Sequence, residues 1–156
     1  MTEQAFMQRA VALALEKMRA NSGGPFGAVI ARNNTIISEG WNEVTSSNDP
    51  TAHAEIVAIR RACALLGTFQ LPDCDIYSSC EPCPMCLGAI YWARLDRVYY
   101  ANTRADAAAI GFDDDRIYRE IELRIGERSL PFIRLAADEA RRVFDAWLAK
   151  PDKVRY

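Results

Sequence analysis

Residues 75–101 read DIYSSCEPCPMCLGAIYWARLDRVYYA, and this stretch decides the fold class. Asp75 to Ser79 reads as a short strand. Pro84 to Ala93 is apolar and opens with a proline, which suits the first turn of a helix. Arg97 to Ala101 is again strand-like. A strand, a helix and a second strand in so short a stretch mark a crossover unit rather than a hairpin.

Working outward, Phe26 to Ala31 and Thr35 to Gly40 predict two strands joined at Asn33-Asn34, a hairpin turn. Before them, Phe6, Met7, Ala10, Val11, Ala14, Leu15 and Met18 recur at helical spacing, and Asn21 to Pro25 breaks the run. Val44 to Pro50 is polar and predicts a loop, followed by a helix from Ala54 to Leu66 that Gly67 stops. Beyond residue 101, Thr103 to Ala109 predicts a short helix, Pro131 to Leu135 a fifth strand, and Ala137 to Ala149 a last amphipathic helix. The expected fold is α/β: a three-layer α/β/α sandwich around a mixed five-stranded sheet, in a single domain over residues 1–156.

Composition narrows the function. Half of the 156 residues are apolar, enough for a core without disulfides. The net charge of −2 lacks the basic surplus of a protein built to grip nucleic acid, so no nucleic-acid partner is expected. Met1 to Arg19 carries charge throughout, and no run approaches a membrane span, so a cytoplasmic chain without membrane contact is expected.

There are five cysteines and one histidine. An odd number is poorly explained by disulfides in such a chain. Cys63 lies in an apolar helical pattern and Cys74 after a Leu-Pro-Asp turn, so both read as packing residues. Cys83 and Cys86 are spaced so that two thiolates face one metal from a single turn, at a helix start that favours the thiolate. His53 also opens a helix. Three such ligands leave a fourth tetrahedral position for water, as in catalytic zinc sites, although Cys80 or a carboxylate remains available to close the shell. A closed shell would make the chain a zinc-stabilised binding module instead. Glu55 lies two residues after His53, about 200° around a helix, so it is placed to reach a metal-bound water rather than to be a ligand beside His53.

Taken together, Thr51-Ala52-His53-Ala54-Glu55 and Glu81-Pro82-Cys83-Pro84-Met85-Cys86 match the His-x-Glu … Pro-Cys-x-x-Cys pattern of zinc deaminases. The chain thus resembles the cytidine and deoxycytidylate deaminase superfamily and, within it, the bacterial guanine deaminases. The second resemblance rests on Gly23 to Ile30, Thr45 to Glu55, Ser79 to Arg94, Gly111-Phe112-Asp113-Asp114, Ile117-Tyr118 and the terminal Tyr156. It implies hydrolysis of guanine to xanthine and ammonia by a zinc-activated hydroxide, with His53, Cys83 and Cys86 as Zn²⁺ ligands and Glu55 as proton shuttle. It further implies that Asp114 helps to protonate the departing amine, that Asn42 hydrogen-bonds the base, and that Phe26, Ala54 and Trp92 line its pocket. Tyr156 would close over the purine base, carried by a tail (residues 150–156) swapped onto the partner of a homodimer.

Read without that resemblance, Asp113 to Asp115 is a solvated acidic loop, Asn42 a turn residue, Phe26 and Trp92 core aromatics, and the tail a frayed end. A transfer-RNA adenosine deaminase, or an enzyme for another aminopurine or aminotriazine, shares much of the pattern and remains the alternative.

Overall fold

The computed structural model describes residues 1–156, and its contacts divide the chain into two compact units, Met1–Tyr118 and Arg119–Tyr156. The first unit is built on a four-stranded sheet in the order β2-β1-β3-β4. Strands β1 (Gly27–Arg32) and β2 (Thr35–Trp41) form an antiparallel hairpin, β3 (Asp75–Cys80) runs antiparallel to β1, and β4 (Arg97–Asn102) runs parallel to β3. The sheet is therefore mixed. The two turn residues Asn33 and Asn34 take φ of 51° and 59°, left-handed values that a two-residue hairpin turn requires and that asparagine tolerates.

Strand β1 is buried on both sides, and its alternating side chains face two different cores. Val29 and Ala31 pack with Tyr77 against Phe6, Ala10 and Leu13 of α1 (Glu3–Arg19). Ala28 and Ile30 pack with Ile76 against Ala54, Ala58 and Ala62 of α3 (Ala54–Leu66) and Ile90 of α4 (Pro84–Trp92). Helices thus cover both faces. The approach of α3 is close: a Cβ on Gly40 would lie 2.1 Å from the Ala54 carbonyl oxygen, so only glycine lets β2 meet the start of that helix. Gly67 ends α3 with φ 64°, the left-handed cap expected of it.

Three sequence expectations change. The fifth strand is absent: Pro131 to Leu135 takes no regular secondary structure and joins no ladder, and the sheet has four strands. A short apolar run looks the same whether or not a sheet edge receives it, and Pro131 cannot donate to a ladder. Val44 to Pro50 contains a one-turn helix, α2 (Val44–Ser47), ended by Asn48 in the left-handed region. The acidic run opens a helix rather than forming a loop: Asp114 and Asp115 are in the first turn of α6 (Asp114–Glu122), where the helix dipole favours negative charge. Between β4 and α6 lies α5 (Arg104–Ala109), whose capping box pairs Thr103 with Asp106.

Within the second unit, Arg128 donates to the Glu120 and Ile121 carbonyls and lies over the Phe132 ring. Helix α7 (Ala137–Ala149) follows, and Lys153 donates back to the Leu148 and Lys150 carbonyls. Phe132, Ile133, Leu135, Val143, Phe144 and Leu148 are all exposed.

Candidate metal centre and its cavity

His53 is the N-cap of α3 and Cys83 the N-cap of α4, and neither side chain caps its own helix. Helix starts usually carry Ser, Thr, Asp or Asn, which bond the free backbone N–H groups. Here both positions hold side chains directed elsewhere. His53 Nδ1 lies 3.5 Å from Cys83 Sγ and 3.6 Å from Cys86 Sγ, and the three donor atoms fall within 4.8 Å of one another. With usual zinc–nitrogen and zinc–sulfur bond lengths, the N···S edge of a tetrahedron is about 3.6 Å. Both distances match that value, so the donor set fits zinc in both chemistry and spacing.

The electrostatics fit as well. A hydrogen bond from Cys86, with a further contribution from His53, holds the Cys83 thiol down to about 4, so it is a thiolate at neutral pH. Cys86, bonded to that thiolate and buried, is pushed far upward. Two open helix starts favour negative charge at the same place. Cys80 is not part of this cluster. Its Sγ faces the Thr103 carbonyl at 3.6 Å, and burial raises it to about 11, so it behaves as a protonated thiol.

Beside the three donors opens a cavity of about 350 Å³. Glu55 lines it, 6% exposed, with Oε1 accepting a 3.0 Å hydrogen bond from the Ser78 hydroxyl on β3. Burial raises the Glu55 carboxyl above its usual range. Asp114 lines the cavity from the start of α6, and burial, then the Cys83 thiolate, raises its carboxyl too. Two carboxyl groups with raised proton affinity, next to one thiolate, are suited to carrying protons.

Phe26 and Phe112 form an aromatic corner of the cavity, with ring centroids 4.7 Å apart in an edge-to-face contact. Asn42 is buried, and its Oδ1 accepts from the Gly24 and Val44 N–H groups at 3.1 and 3.3 Å. That arrangement fixes which end of the amide is engaged and leaves the NH₂ group to donate. Gly23 is needed for it, since a Cβ there would lie 1.9 Å from the Asn42 carbonyl oxygen. The segment bearing Phe112 and Asp114 is tied to the cysteine loop at two points. The Tyr118 hydroxyl donates to the Pro82 carbonyl at 2.7 Å, and Arg104 N–H to Glu81 Oε2 at 2.9 Å.

The structure therefore brings His53, Glu55, Cys83, Phe26, Asn42 and Asp114 to one cavity, with Cys86 completing the donor cluster beneath it. Ala54 is fully buried in the core at the first position of α3. Trp92 does not line the cavity and is 62% exposed at the end of α4, so it is not a core aromatic either. Tyr156 lies in the second unit and is exposed. Phe112 and Ser78 were not singled out from the sequence. An aromatic two residues before Asp114 was a usable signal for the first; Ser78 carried none, because its partner is 23 residues away on another element.

Comparison with known proteins agrees with this geometry. Residues 1–102 match the family model described as the cytidine and deoxycytidylate deaminase zinc-binding region. The chain is 54% identical to guanine deaminase of Bacillus subtilis (strain 168), over all of both chains. An X-ray structure of guanine deaminase from Bacillus subtilis superposes with a TM-score of 0.97 at 54% identity, covering 100% of this chain and 99% of that one. A transfer-RNA-specific adenosine deaminase of Agrobacterium fabrum is 43% identical over 86 residues, 55% of this chain and 57% of that protein. The chain belongs to the cytidine and deoxycytidylate deaminase family of zinc-binding, hydrolytic deaminases.

Proposed function

We propose that this protein hydrolyses guanine to xanthine and ammonia. One observation carries the reading. The family model ends at residue 102, whereas the 54% identity to the Bacillus subtilis guanine deaminase continues through the segment that brings Phe112 and Asp114 to the cavity.

His53, Cys83 and Cys86 would hold zinc. Bound zinc supplies Lewis acidity, which makes water acidic enough to attack near neutral pH. Glu55 takes the proton of the attacking water and passes it to the ring nitrogen beside the amino-bearing carbon. Its elevated affinity for a proton suits it to hold one between those steps. Asp114 protonates the departing amine. Asn42 donates its NH₂ to an acceptor on the base, and Phe26 flanks the ring. The Ala54 N–H, at a helix start where backbone donors lack intrahelical partners, offers a further contact. Trp92 is the least supported of these assignments, since it stands outside the cavity.

The site works on a free base in the cytoplasm, without nucleic acid or membrane. No helix is long and apolar enough to cross a membrane. The test is an ammonia-release assay with guanine, adenine, cytosine, cytidine, deoxycytidylate and transfer RNA. Guanine is expected to give the highest kcat/KM; a higher value for cytidine or transfer RNA overturns the substrate assignment.

The working form is a homodimer, in which residues 1–156 act as one deaminase domain and the tail 150–156 brings Tyr156 to the partner's site. The exposed Phe132, Ile133, Leu135, Val143, Phe144 and Leu148 support an interface, since so many exposed large apolar groups need a partner surface. Deleting residues 151–156 is expected to keep zinc and abolish most activity. Co-folding that inactive deletion with the inactive Glu55→Gln chain is expected to restore activity, through heterodimers with one complete site. Heterodimers without activity would place the tail's action within its own chain or remove it.

A further inference from the structure

Three serines are buried in the first unit, and they differ in what they bond. The Ser38 hydroxyl donates to the Ala58 carbonyl at 2.8 Å, and Ser79 Oγ accepts from the Gly27 N–H at 3.0 Å. Both serve the backbone and join elements of the fold. Ser78, 2% exposed in the middle of β3, instead donates to Glu55 Oε1 at 3.0 Å.

Nothing about the sheet calls for a hydroxyl there. Ser78 pairs across the ladders with Ala28 on β1 and Tyr100 on β4, and two residues before it Ile76 packs in the core against α3. An apolar side chain would serve this place, and a buried hydroxyl is costly unless it is bonded. The bond that it makes is to the carboxyl assigned to proton transfer.

We propose that Ser78 is a positioning residue, which fixes the rotation of the Glu55 carboxyl so that Oε2 faces the reacting atoms in the cavity. The inference rests on the reading of Glu55 as proton carrier. The last torsion of a glutamate is soft, with broad wells. The Glu55 backbone N–H and the Cys86 side chain also bond this carboxyl, and both come from the helix side, whereas Ser78 reaches it from the sheet. A donor on Oε1, held by the rigid centre of a sheet, turns it one way. That matters here because one carboxyl group must serve a water and then a ring nitrogen, and misplacement of such groups by small distances is costly.

The experiment compares zinc-loaded wild type, Ser78→Ala and Ser78→Thr, together with Glu55→Gln and the double variant Glu55→Gln/Ser78→Ala. Supporting-shell changes commonly cost about 10–100-fold, so Ser78→Ala is expected to lower kcat on guanine by about 10-fold with KM within about two-fold and zinc content unchanged. Ser78→Thr keeps the hydroxyl and is expected to stay within about three-fold of wild type. On the Glu55→Gln background, removing the Ser78 hydroxyl is expected to change residual turnover by less than about two-fold, because its route of action is already gone. A crystal structure of zinc-loaded Ser78→Ala is expected to show the Glu55 carboxyl rotated with the fold unchanged.

Wild-type kcat in Ser78→Ala overturns the proposal. So does an equal loss in both backgrounds, an unrotated Glu55, or a folded, zinc-loaded Ser78→Thr chain as slow as Ser78→Ala is expected to be. If Ser78→Ala does not fold, the threonine variant decides. If wild type itself fails on guanine, the functional reading falls separately, and the crystal structure still judges the placement of Glu55.

Discussion

Glu55→Gln is expected to leave zinc content and fold at wild-type levels while lowering turnover on guanine by at least about 10²–10⁴-fold, the usual contribution of one general acid–base group. Gln has nearly the same shape, and its carbonyl oxygen can accept the Ser78 hydrogen bond that Oε1 accepts now. The core around the residue should therefore not notice the change. What is lost is a group that can take a proton and give it back. Burial raises the affinity of this carboxyl for a proton, so the wild-type group can hold one after water surrenders it. Because the same group serves both the attack and the later protonation of the base, the loss should sit at the upper end of that range or beyond it. The measurement is steady-state kcat on the purified variant, with metal content determined on the same sample. Turnover within about 10-fold of wild type would remove Glu55 from the proton path.

How far the sequence reveals this site depends on what each residue needs as a neighbour. His53, Cys83 and Cys86 were legible because residue type, spacing and a helix start all coincide within a few positions. The structure places two of them as N-caps that do not cap. The Asn33-Asn34 turn and the Gly67 stop were legible for the same reason: each is a local backbone requirement met by a residue suited to it. The missing fifth strand shows the opposite case. Pro131 to Leu135 has the apolar content of a strand, but pairing depends on a distant edge that the local pattern does not encode. Asp114 was legible only through resemblance. Its surroundings read as solvated charge, whereas the helix start and the Tyr118 anchor on Pro82 bring it to a cavity wall. Trp92 was likewise named only through resemblance; an aromatic on an apolar helix reads as core, and here it is exposed at the end of α4.

Cys83→Ala and Cys86→Ala are each expected to abolish both zinc binding and activity. Either change leaves two protein donors, His53 and one thiol, and two donors do not hold zinc as three do. The loss should reach the fold locally as well, since Cys83 and Cys86 form a small buried cluster with Ile56, on which Met85 and Ala89 pack. Metal-binding energy is shared with folding, so both variants should melt below the zinc-loaded wild type and close to its chelated form. Protons compete for the same site in a stated direction. Cys83 is already a thiolate at neutral pH, held near 4 by Cys86 and His53, but Cys86 keeps its proton beside that thiolate until a metal displaces it. His53 is raised by its contact with Cys83 and must also be neutral to bind. Zinc uptake by the metal-free protein should therefore release protons, and retention should weaken as pH falls. Metal analysis after dialysis, with calorimetry in buffers of different ionisation enthalpy, measures both quantities. A Cys83→Ala or Cys86→Ala chain that keeps one zinc and wild-type activity would overturn the ligand set; zinc uptake without proton release would overturn the protonation state assigned to Cys86.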